Sequence, residues 1–368
     1  MNFDFSTEQE ELRRQVAKFF ETQGRCRAAR AVLDGDQNYD RESWAKAAEM
    51  GWLGAAIEEN YGGVGLGYLE LCVLFEEVGR AMSPIPYAST IFAAEAIRKA
   101  GSPAQKEKYL PRIVDGSVIA CCAFFEPGQR DISGSVKTIC QNEKLTGEKA
   151  PVSDLTLADL AIVSAQGEHG LDLYVVDLNT QGIECENLEA VELVRPQGHL
   201  KLDSVSAERL GDAGQGAEHL RHLLDIQAVL TAFEQIGSAE AAMTMSLDYA
   251  KDRHAFGRPI GGNQAVKHKL ADMFVKNQLA RSHAYYGAWA LASDAPELPR
   301  AAAGAHLAAS EALDYAGQES VEIHGGIGFT WESDCQFFYR RARLLSQNLG
   351  AKSYWVEQLI AQLRGRNR

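Results

Sequence analysis

Positive charge is scarce in this chain. Among 368 residues, 37 Lys and Arg face 50 Asp and Glu, a formal charge of -13, which opposes association with a phosphate backbone or an anionic membrane surface. That argues against nucleic acid as a partner. Long hydrophobic runs are also lacking, since no window approaches the roughly 20 apolar residues of a membrane span. The opening MNFDFSTEQEELRRQ is acidic and polar where a secretory signal would be basic and then apolar, so a cytoplasmic protein without a membrane anchor is expected. Paired cysteines are missing as well. The seven present are an odd number, scattered and without C-x-x-C spacing, which indicates neither a disulfide framework nor a metal site; they read as small buried hydrophobes. What is there is 46% hydrophobic and 24% charged, enough for a large core, and the length suggests two to three domains.

Three textures follow one another along the chain. Ser6 with Gln9 makes a capping-box spacing ahead of Leu12, Val16, Phe19 and Phe20, which predicts an amphipathic helix at the start. Further helical patterns lie at 41–49, 68–81 and 88–100, with the glycines of Tyr61 to Gly67 reading as a turn between helices; they do not make G-x-G-x-x-G. From Ser117 the runs become short and β-rich at intervals typical of an antiparallel sheet. After Gly214 long helical patterns return at about 217–253, 264–292 and 299–324, with a fourth segment at 331–365. The expected fold class is mostly α with a central β domain: a helical domain over 1–116, a β domain over 117–213 and a helical bundle over 214–368. Strands and helices do not alternate, which weighs against a doubly wound sheet.

Three stretches carry chemistry. Phe124 to Asp131 ends a strand with the turn signal Pro127-Gly128, which exposes backbone amides or is simply a turn. At 249–261 a long helix stops at Gly257, Pro259 and Gly261, and Arg253 and Arg258 offer guanidinium groups suited to phosphate or to plain solvent. In Glu322 to Glu332, three glycines in four positions let a ligand phosphate or a packed neighbour come close to the backbone.

In this order and spacing, F-S-T-E-Q-E-E-L, Y-G-G-V-G-L-G, F-E-P-G, D-R-H-A-F-G-R-P-I with Gln264 beyond it, and H-G-G-I-G-F-T resemble the acyl-CoA dehydrogenase family over the whole chain. The resemblance implies a helical domain, a β-barrel-like middle domain and a four-helix bundle. It also implies FAD at the interfaces of a homo- or hetero-tetramer, an acyl-CoA substrate, and an electron-transferring flavoprotein as acceptor. By that resemblance Arg253 meets the FAD pyrophosphate, Phe256 the adenine end and Gln264 a position nearby. Glu322 to Gly326, with Gly325 and Gly326 at its end, would complete the diphosphate site from a neighbouring subunit, opposite Arg253. Phe125 and Ser153 would lie over the flavin ring.

The family's reaction needs a carboxylate base over the acyl α-carbon. The usual C-terminal station for it is Leu349 here, and the alternative station, twenty-six residues before Arg253, is Gln227; neither can take a proton at neutral pH. Glu234, two helical turns beyond Gln227, is the best remaining candidate, ahead of Asp225, Glu332 and His324, and it could equally be a structural ion-pair partner. The family's Trp-Ile-Thr is Pro151-Val152-Ser153, and Glu322 stands where a Gln is usual, putting negative charge beside a diphosphate. Two functions follow: an acyl-CoA dehydrogenase desaturating its thioester with a relocated base, or a weak or inactive partner subunit of a heteromeric enzyme. A flavin oxidase of the same fold is a third. Ala228, Thr231 and Ala232 along the first bundle helix leave room for a branched or polycyclic acyl group, from fatty-acid or steroid side-chain metabolism.

Overall fold

The computed structural model describes residues 5–24, 26–132 and 136–365. Six helices come first: α1 (Thr7–Gln23), α2 (Arg27–Leu33), α3 (Arg41–Glu49), α4 (Tyr68–Ala81), α5 (Tyr87–Ala100) and α6 (Pro103–Val114). The reciprocal cap at the start of α1 forms, the Gln9 backbone N–H donating to Ser6 Oγ and the Ser6 N–H to Gln9 Oε1. The glycines at 62–67 are an inter-helix turn, and Gly62 takes a φ of 85° that other residues resist.

A sheet follows, built from β1 (Ala120–Ala123), β2 (Ile139–Gln141), β3 (Lys144–Ser153), β4 (Leu160–Gly167), β5 (Gly170–Asp177), β6 (Ile183–Leu188), β7 (Gln197–Ser206) and β8 (Glu208–Leu210). Its path is β6-β7-β3-β2-β4-β5-β8, with β1 against β4. The sheet is mixed, where the sequence suggests an antiparallel one. β1 runs parallel to β4, Ala120 opposite Leu160, because the chain enters the sheet from α6 and α5 covers this edge.

The bundle comprises α7 (Gly216–Asp252), the small hairpin β9 (His254–Ala255) and β10 (Arg258–Pro259), α8 (Gln264–Ala292), α9 (Leu298–His324), α10 (Cys335–Leu345) and α11 (Lys352–Gly365). α7 is buried nearly all round between α4, α8 and α9, as its apolar faces require. It crosses α4 at glycine: a Cβ on Gly237 would lie 2.0 Å from the Glu76 carbonyl oxygen, and one on Gly79 2.2 Å from that of Glu234. The expected single segment at 331–365 is two helices. Gly350 turns the chain with φ 104°, and the N–H of Ala351 goes to the Arg130 carbonyl instead of into a helix. Among the described residues, no helix is long and apolar enough to cross a membrane.

Candidate active site

Where α5, the ends of β1 and β3, α7 and the α10–α11 linker meet, a cavity of about 50 Å³ remains. Gln227 and Leu349, the two positions at which a base would be sought, both line it. Gln227 is almost wholly buried, and its amide nitrogen points at the Cys122 thiol 3.8 Å away. Burial pushes that thiol far up, so it stays protonated. Asn348 adds a buried amide oxygen with no hydrogen-bond partner among the described residues. The wall is therefore polar at several points, yet neither station offers a proton acceptor of useful strength.

Phe125 and Ser153 line the same cavity, as the resemblance implied for the ring site. A buried pair behind β1 fixes the backbone there. Lys149 Nζ donates to Glu126 Oε1 at 3.0 Å and to Ser164 Oγ at 3.2 Å, with the Phe124 carbonyl 3.5 Å away. Burial alone would raise the Glu126 carboxyl, but the N–H groups of Thr138 and Lys137 and the Thr138 hydroxyl hold it at about 2. Desolvation brings Lys149 down to about 8 despite that partner. The Ser153 hydroxyl is turned to Gln197 Oε1 at 3.1 Å, away from duty toward a ring. Ligand pockets run to roughly 300–1,000 Å³, so in this chain alone the ring end has no room for a tricyclic group.

Glu234, the strongest carboxylate candidate from sequence, does not line this cavity. Its Oε1 takes Arg195 Nη2 at 2.7 Å and Arg341 Nη1 at 3.0 Å, and its Oε2 takes Arg195 Nη1 at 3.3 Å. Burial would raise it, but the two guanidiniums hold it below the usual carboxylate range. It is an ion-pair anchor between α7, α10 and the segment before β7, as a buried carboxylate with two arginines must be. Asp225 lies on another face of α7, where burial lifts it to about 7. Asp154, which sequence reasoning passed over, is the carboxylate that does reach the wall; it accepts the Ser89 hydroxyl at 2.6 Å and is raised by burial. Ala228, Thr231 and Ala232 are packed inside the bundle and open no space for a bulky acyl group.

The other candidate positions gather at the far end of the bundle. Arg253 caps α7, and its guanidinium forms no ion pair among the described residues. Phe256 stands wholly in solvent at the hairpin tip with φ 53°, and Gln264 opens α8. A Cβ on Gly325 or Gly326 would meet nothing within 4 Å, so the backbone there is open to an approaching group. One turn before Arg253, the Tyr249 ring stacks on His324, centroids 4.3 Å apart, directly beside Gly325. Arg253 and the glycines are thus brought to one end of the same chain, which corrects the expectation that they come from opposite subunits. Glu322 is neutralised by Lys269 Nζ at 2.8 Å, which lowers its carboxyl and removes the objection to its charge; Lys269 lies fifty-three residues away and carries no local signal. Glu332 is exposed, and His324 faces Cys335 instead of the cavity. A free guanidinium, open glycine backbone and an unpacked aromatic ring fit the diphosphate and adenosine end of FAD.

The family model described as the acyl-CoA dehydrogenase N-terminal domain matches residues 6–117, and that for the C-terminal domain residues 214–363. Acyl-CoA dehydrogenase IpdE2 of Mycolicibacterium smegmatis is 30% identical over 364 residues, 97% of this chain and 99% of that protein. A variant of the Tcur3481-Tcur3483 steroid ACAD is 32% identical with a TM-score of 0.90, covering 98% of each chain. In the ChsE4-ChsE5 complex from Mycobacterium tuberculosis the values are 26% and 0.89, with 99% of each chain covered. This chain belongs to the acyl-CoA dehydrogenase family, whose members are FAD-dependent oxidoreductases.

Proposed function

We propose that this chain is the partner subunit of a heteromeric FAD-dependent acyl-CoA dehydrogenase. It lends the diphosphate end of the cofactor site and a helical interface to a homologous subunit that supplies the ring pocket and the base. The assembly desaturates an acyl-CoA thioester between its α and β carbons and passes electrons to an electron-transferring flavoprotein. The observation that carries this reading is the small cavity walled by Gln227 and Leu349 together. FAD, when bound, supplies the hydride acceptor; Arg253, Gly325 and Gly326 hold its diphosphate and Phe256 its adenine. Two relatives whose names join two components, ChsE4-ChsE5 and Tcur3481-Tcur3483, support a paired assembly, and the second supports a steroid-derived acyl group as substrate. On α8, Phe274, Val275 and Leu279 are each more than half exposed, an apolar stripe suited to another subunit's helix in a tetramer.

Anaerobic addition of acyl-CoA tests this. The chain purified alone should show no flavin bleaching, and the chain co-expressed with a homologous subunit bearing the base should bleach. Bleaching by the chain alone would overturn the reading. One observation favours self-sufficiency instead: the Asp154 carboxylate at the cavity wall. On that alternative, bleaching by the lone chain disappears in Asp154→Asn.

A further inference from the structure

The residue before the 325–334 loop and the residue after it touch. His324 ends α9, Cys335 opens the eleven-residue α10, and both converge on the Ser320 carbonyl oxygen, the imidazole Nδ1 at 2.7 Å and the thiol at 3.9 Å. They also act on each other. Burial would raise the thiol, but His324, Ser333 and Ser320 bring it below its ordinary value; burial would lower the imidazole, but Cys335 raises it. The Ser320 hydroxyl is wholly buried, faces the sulfur and has no other hydrogen-bond partner among the described residues. A neighbouring imidazole and a helix N-terminus are what make a thiol nucleophilic. The pair closes the base of the loop that presents Gly325 and Gly326, while Arg30 holds the loop's far end through Asp334 at 2.5 Å and the Trp331 carbonyl at 2.7 Å. The Tyr249 ring covers the imidazole.

We propose that Cys335 is a peroxide-sensitive modification site, and that its oxidation, assisted by His324, loosens the glycine loop; the loosening rests on the reading of that loop as the FAD diphosphate site. The thiolate attacks one oxygen of hydrogen peroxide, an S–O bond forms as the O–O bond breaks, and the sulfur loses two electrons. The departing hydroxide takes the proton held on His324 and leaves as water, giving the sulfenic acid. Cys335 is fully packed, so the added oxygen displaces His324 or turns to the waiting Ser320 hydroxyl, and either move opens the contact that closes the loop. Peroxide reaches the sulfur through local opening of the loop.

The experiment treats the co-expressed, flavin-loaded assembly with graded hydrogen peroxide, traps sulfenic acid with a dimedone probe and reads each cysteine by mass spectrometry alongside flavin release. Cys335 should label, label about tenfold more slowly in His324→Asn, and release flavin in step; Cys335→Ala should keep its flavin under the same peroxide. The proposal is overturned if Cys335 stays unlabelled where the exposed Cys185 reacts, or if His324→Asn labels at the unaltered rate. Labelling without flavin release overturns the coupling to the loop. An assembly that holds no flavin at this chain's glycines before peroxide defeats the FAD reading and leaves the labelling result to decide the thiol chemistry alone.

Discussion

The two ends of the bundle are built on opposite principles. At the cavity end almost every polar group is committed: Glu234 to two arginines, Lys149 to Glu126, Asp154 to Ser89, and the space that remains is about 50 Å³. At the loop end the groups that matter are uncommitted, with Arg253 unpaired among the described residues, Phe256 in solvent and open backbone at Gly325 and Gly326. A closed, satisfied interior stabilises a fold, whereas groups left without partners await something from outside. The contrast assigns this chain scaffolding at one end and ligand contact at the other.

Substitutions should separate the two ends sharply. The largest effect is expected from Glu234→Gln, which leaves Arg195 and Arg341 buried without their shared counter-charge and costs about 3–5 kcal/mol in urea unfolding. A loss below 1 kcal/mol would show that the anchor is weaker than its geometry. Acid should act next, through His306, a buried imidazole against Trp355 that burial alone depresses to about 4. The unfolded chain holds the extra proton below about 6.5, so this group's contribution is present above that pH and is lost as pH falls toward 4, up to about 3 kcal/mol. In His306→Gln the stability-versus-pH curve should flatten across that window.

At the open end the order reverses, with cofactor affected and fold spared. Arg253→Gln should leave unfolding unchanged within about 0.5 kcal/mol while flavin retention in the co-expressed assembly falls about tenfold, the size of one charge-assisted hydrogen bond. The smallest effect is expected from Gly326→Ala, whose new methyl meets nothing in this chain. It should be neutral in unfolding and should weaken flavin retention only a few-fold by crowding the backbone approach. A large loss of stability from either variant would erase the distinction between the ends.

How much of this was legible in the sequence follows from the range of each interaction. Local signals read directly: the Ser6 and Gln9 cap, the turn glycines, the α-β-α order and the motif residues at 253, 256, 264 and 325–326 all stand where their patterns pointed. The fate of Glu234 was hidden, because its partners lie 39 and 107 residues away and helical spacing shows only a carboxylate on a face. Lys269 beside Glu322 and His324 beside Cys335 were hidden for the same reason. The side on which Arg253 and the glycines meet was misjudged because sequence gives no hint that Tyr249 stacks on His324. The break at Gly350 was obscured by helix-forming residues on both sides, and the decisive hydrogen bond comes from Arg130 in the β domain.

Flavin stoichiometry, measured by absorbance alongside mass in solution, tests the division of labour most directly. The account predicts little or no FAD on the chain purified alone and one FAD for each pair of chains once a homologous, base-bearing subunit is present. One FAD on every copy of this chain by itself would contradict it.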